Sequence, residues 1–198
     1  MLRFVLPILI ALSFPLEVLS GQFGLEMGDT KRDLEKKGVK LIDVGDYFFM
    51  TYKVPKGNSN LKMYSLMITP NNGLCKIMTA TEDLPTNDFG TSIKNKFEFF
   101  ENLLSKKYGE NRKSDYVASG SIWNKEKYWT MGLLKKERVL RTEWNSRYGS
   151  KLPQNNVNNI LLSAGAKDTY TGIVGIQYKF SNYSACNEEY ENAQSDSL

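Results

Sequence analysis

The sequence predicts an α+β fold of two halves, each a helix followed by antiparallel strands, with the helices packed on one face of the sheet. Three observations lead to this. Apolar and polar residues alternate at strand period in both halves, most clearly where Val174, Ile176, Tyr178 and Phe180 interleave with Gly175, Gln177 and Lys179. Strand candidates are separated by turn sequences such as Pro70-Asn71-Asn72-Gly73, which suits a hairpin. Two segments carry helix signals, and each precedes a set of strands, an order that segregates helices from antiparallel strands.

The chain opens with a short basic start, MLR, an apolar run from Phe4 to Phe14, and small residues at Val18 and Ser20. This is the layout of a secretory signal peptide and predicts a periplasmic or secreted protein, cleaved near Ser20–Gly21. Pro7 and Pro15 interrupt the run, which falls short of the roughly 20 apolar residues a spanning helix needs. No cysteine follows it, so no N-terminal lipid anchor is expected.

In the first half, residues 21–84, Thr30 and Asp33 match a capping box and Gly38 stands at a C-cap position, predicting a helix over Lys31–Lys37. Strands are expected at Asp46–Val54, Leu61–Thr69 and Leu74–Thr81. The second half, residues 85–186, begins with the clearest helix, Gly90–Tyr108, where Phe89, Ile93, Phe97, Phe100, Leu104 and Tyr108 form one stripe ended by Gly109. That stripe is read as core. Asp115–Trp123, Arg138–Asn145, Val157–Ala164 and Thr171–Asn182 are read as strands, and Glu126–Lys136 is ambiguous, with a short helix one reading. The polar, acidic residues 187–198 are expected to form a loose tail. The shared order of helix then strands points to a structural duplication.

Composition narrows the chemistry. The 198 residues contain no histidine, which removes the commonest general base and zinc ligand and forbids Ser-His-Asp or Cys-His sites. Arg3 and Glu17 cancel within the signal segment, so the remaining chain keeps the net charge of +4, too mild and dispersed to imply nucleic acid. Cys75 and Cys186 make an even count, and in an exported protein they are expected to form one disulfide closing a 111-residue loop. Such a pairing leaves no thiolate nucleophile. Glu82 with Asp83, and Glu98 with Glu101, are the carboxylate pairs available for acid–base work, and surface exposure is their ordinary explanation. No phosphate-binding loop is present, and no cofactor or metal is predicted.

One segment stands out, KEKYWTMGLLKKERVLR, from Lys125 to Arg141. Its Lys125, Lys127, Lys135, Lys136, Arg138 and Arg141 are interleaved with Trp129 and leucines, a composition able to hold an acidic partner. The competing reading buries Trp129 and leaves the lysines solvated.

The first mature residues, FGLEMGDTKRDLEKKG, carry Gly24 and Gly28 around Leu25 and Met27 ahead of the capping box. Glycine lets the chain bend there, and the two apolar residues are expected to brace the incoming helix. The stretch resembles a G-L-x-x-G opening of exported bacterial proteins. It is similar to that of small envelope modules such as the outer-membrane assembly lipoprotein BamE and β-lactamase-inhibitor-like proteins. The resemblance covers some fifteen residues, implies a helix packed on an antiparallel sheet in the cell envelope, and transfers no functional residue. The expected function is a non-enzymatic interaction module whose partner is an envelope protein or other acidic macromolecule. An inhibitor of an exported enzyme is the alternative, and a carboxylate-based cell-wall hydrolase ranks third.

Overall fold

A computed structural model describes residues 21–152 and 154–195; the expected signal segment and its cleavage point lie outside them. The first half supplies helix α1 (Lys31–Lys36) and strands β1 (Ile42–Gly45), β2 (Phe48–Thr51), β3 (Met63–Thr69) and β4 (Gly73–Ala80). A short β5 (Leu84–Pro85) leads to α2 (Thr91–Tyr108) and β6 (Arg112–Val117). Next come α3 (Trp129–Leu134), β7 (Arg138–Asn145), β8 (Val157–Ala166), β9 (Thr171–Phe180) and α4 (Tyr183–Ser195). All pairings are antiparallel and form one sheet in the order β1-β2-β3-β4-β9-β8-β7-β6, with β5 beside the start of β9. Each half is thus a meander, and the last strands of the two meanders, β4 and β9, pair at the centre.

The burial pattern explains the register. In β9 every second residue from Gly172 to Phe180 is buried, and Ile77 of β4 lies opposite Tyr178, as Leu66 of β3 lies opposite Ile77. This face meets α2, whose Ile93, Phe97, Phe100, Leu104 and Tyr108 are buried. Phe89, grouped with that stripe by spacing, precedes the helix and is 46% exposed.

The expectation of helices on one face is corrected at α4. Successive strand residues point to opposite faces. Phe49 belongs to the main core, with Lys31 of α1 above its ring, whereas Phe48 packs in a separate cluster with Met67, Cys75, Cys186, Tyr183 and Tyr190. α4 therefore lies across the sheet from α1 and α2. The loose tail expected from residue 187 onward is also corrected, since α4 runs to Ser195. Cys186 is bonded to Cys75, Glu189 accepts hydrogen bonds from the Asn71 and Asn72 amides, and Gln194 donates to Asp46. These ties hold a polar helix that buries only Cys186 fully.

One other segment differs from the sequence reading, and one that it left open is resolved. The strand expected at Asp115–Trp123 ends at Val117, because the chain turns at Ala118–Ser121 through Gly120, whose φ is 80°. The ambiguous segment resolves into a 3₁₀ turn, Glu126–Tyr128, continuing into α3.

The opening stretch is structural. Leu25 is buried and Met27 packs against the core. Gly28 N–H donates to the Leu74 carbonyl at 2.9 Å, and Leu74 N–H donates to the Asp29 carbonyl at the same distance. The two backbones run so close that a Cβ on Gly73, whose φ is 63°, would lie 2.2 Å from the Gly28 oxygen. Beyond this clamp the capping box forms as its residues specify: Thr30 Oγ1 accepts from Asp33 N–H, and Asp33 accepts from Thr30 N–H. Thr30→Ala is expected to lower stability by about 1 kcal/mol in urea unfolding. The Thr30 contacts hold the Asp33 carboxyl below its ordinary value. A carboxylate of lowered pKa stabilises the fold above its unfolded pKa, and that contribution is lost as pH falls through the folded value.

Candidate functional site

The basic segment does not form one patch. Trp129 is 3% exposed and sits beneath Gly90 of the α2 N-cap, with Lys94 and Arg138 stacked on its ring at 4.8 and 5.7 Å. Lys125 and Lys127 lie exposed around the 3₁₀ turn, and Lys127 stacks on Tyr128. Lys135 caps α3 at its C-terminus, where a cation complements the helix dipole. Lys136, Arg138 and Arg141 do converge, together with residues that sequence inspection could not associate with them.

Their convergence follows from how two strands part. The β7–β8 ladder ends at Arg141 opposite Ser163, whereas β8 stays paired with β9 as far as Ala166. Beyond Ser163, then, residues Ala164–Ala166 have a strand neighbour on one side alone, and Arg138–Leu140 pair with β6 alone. Lys136, in the left-handed region at φ 58°, turns the chain out of α3 and into β7 at this place. The resulting groove holds about 380 Å³. Leu133 and Leu134 of α3 meet Val139, Leu161 and the small Ala164–Gly165–Ala166 run, and Lys136, Arg138 and Arg141 supply charge.

The cations are not equivalent. Arg138 pairs with Asp115 at 3.3 Å and stacks on Trp129, so its guanidinium is committed to the fold. Arg141 is exposed and Lys136 is exposed, and neither has an ion pair among the described residues. The groove therefore offers apolar surface, strand edges with open hydrogen-bonding groups, and two free positive charges.

The carboxylate pairs separate into ordinary roles. Asp83 is bridged by Lys167, and Glu82 is exposed. Glu101 accepts from the Thr142 hydroxyl and pairs with Lys113 at 2.7 Å, while Glu98, one turn earlier on α2, is exposed. Clefts also flank Tyr47 in the β1–β2 turn, where Asp46 and Tyr47 both have positive φ. Of the carboxylates lining them, Glu189 is already held by the Asn71 and Asn72 amides, and Asp46 accepts from Gln194. Among the described residues no group of three His, Cys, Asp or Glu side chains is placed to hold a metal ion, and no helix is long and apolar enough to cross a membrane. No family model, curated protein or solved structure matches the chain.

Proposed function

We propose that this protein is an exported, non-enzymatic binding module that captures an extended, acidic segment of another envelope protein in the groove between β7 and β8. The observation that carries the reading is the parting of these strands beside Arg141 and Lys136. A strand edge can hydrogen-bond an added peptide through its backbone, and pockets beside it select side chains. Leu134, Val139 and Leu161 supply an apolar seat for an anchoring residue, and the unpaired cations favour acidic flanks. The volume falls within the roughly 300–1,000 Å³ typical of binding pockets. Export is supported by the Cys75–Cys186 bond, which suits an oxidising compartment.

The test is fluorescence anisotropy with labelled peptides of alternating apolar and acidic residues. Lys136→Glu combined with Arg141→Glu is expected to weaken binding by about ten-fold or more, the size of two lost charge contacts, with the thermal midpoint retained. Lys125→Glu with Lys127→Glu, remote from the groove, is expected to leave affinity within about two-fold. Equal effects from both pairs would indicate diffuse charge attraction and remove the groove from consideration.

A further inference from the structure

A second site lies on the α4 side of the sheet, at its central ladder. Lys76 of β4 and Lys179 of β9 are directly opposed in register. Like charges opposed across two strands destabilise a sheet. No ion pair offsets the repulsion: neither lysine makes one among the described residues. The nearby acid on this face, Glu143, is held instead by the side-chain amides of Asn145 and Asn159 at 2.9 and 2.6 Å.

Nor are the two ammonium groups free to swing apart. Both lie over the ring of Tyr183, Lys179 at 4.2 Å and Lys76 at 5.5 Å from its centre, and Lys76 also lies 4.9 Å from the Phe48 ring centre. Tyr183 is in turn fixed by packing in the disulfide cluster and by its hydroxyl, which donates to Asn187. The lysine stems are half-buried, and burial followed by the charge of Lys179 holds the Lys76 ammonium below its ordinary pKa. α4 begins at Tyr183 with no acid in its first turn, so the positive end of its dipole is also uncompensated here.

We propose that Lys76 and Lys179 form an anion-binding site for a phosphoryl group, presented either as a free phosphate compound or on a lipid headgroup. Each ammonium has three N–H donors, and a dianion between them replaces repulsion with two charge-assisted contacts. The aromatic rings exclude water from one flank and keep the donors in place without neutralising them. The site is independent of the β7–β8 groove, so either can fail without the other.

The experiment uses the oxidised chain and measures inorganic phosphate and pyrophosphate binding by titration calorimetry against chloride at matched ionic strength. In parallel, co-sedimentation is run with phosphatidylglycerol and with phosphatidylcholine vesicles. Saturable binding to the free anions alone assigns a soluble ligand, and binding to the anionic vesicles alone assigns a headgroup. Lys76→Met and Lys179→Met are each expected to weaken whichever response is seen by about ten-fold or more, while Lys106→Met on α2 leaves it unchanged. Lys76→Met is also expected to raise the melting temperature in phosphate-free buffer, because it removes a like-charge pair. No saturable response to any probe, or a response that Lys76→Met leaves intact, overturns the proposal. So does a fall in melting temperature on that substitution, since the lysine would then be a stabilising part of the fold.

Discussion

Replacing both Cys75 and Cys186 with alanine is expected to lower unfolding free energy by about 2–5 kcal/mol, the range for a native disulfide closing a long loop. The bond spans 111 residues, which makes the chain-entropy contribution large. It also joins the central strand β4 to α4, a helix with little buried surface of its own. Loss should therefore be uneven. Hydrogen exchange of α4 amides is expected to accelerate well before that of β4 and β9, because the main core of Ile77, Tyr178 and Phe97 does not involve the bridge. Unchanged urea midpoints for the double variant would show that packing against Met67 and Phe48 suffices to hold α4.

Gly90→Ala is expected to cost about 2–5 kcal/mol, combining backbone strain at a left-handed position with overpacking. Gly90 has φ 67°, and an added Cβ would lie 1.9 Å from Cε3 of Trp129. The indole has no room to yield. It is fully packed, with Lys94 above it and Arg138, itself paired with Asp115, beside it. Gly38→Ala separates the two contributions, because Gly38 has φ 79° and open space around the added atom. Its variant should show the backbone part alone, about 1–2 kcal/mol, by the same unfolding measurement. Similar losses at both positions would mean that the Trp129 contact relaxes.

The core was readable where local pattern and burial agree. α2 and β9 have strong periodicity because one face of each meets the other's partner elements, so Ile93 and Val174 declare themselves in the sequence. The disulfide was readable from the even cysteine count together with the expected export. α4 was not, because its stability comes from distant residues: a bond to Cys75, amides of Asn71 and Asn72, and rings at Phe48. Its apolar positions, Tyr183, Cys186 and Tyr190, recur at helical spacing, and their acidic neighbours obscure the pattern. β1 is a short, exposed edge strand with no buried residue, hence no alternation to detect.

Candidate sites were less legible for a similar reason. Proximity in sequence grouped Lys125 with Arg141, whereas the groove depends on where one ladder stops and another continues. Ala164 and Gly165 looked like ordinary strand residues. Lys76 and Lys179 lie 103 positions apart in a sequence that offers no cue to their register. Trp129, by contrast, is buried, as the competing reading of that segment anticipated.

The central position of β9 has a consequence for how the molecule is made. Synthesis proceeds from the N-terminus, yet the strand that joins the two meanders is the last to emerge. A chain shortened to residue 170 would hold two separate curtains of strands, each ending in a bare edge, β4 on one and β8 on the other. Insertion of a single strand zips both edges at once, and Cys186, just beyond it, can seal the product only afterwards. Loss of the final segment is thus expected to leave one chain with two open-edged sheets, liable to pair with other chains, in place of a shorter protein.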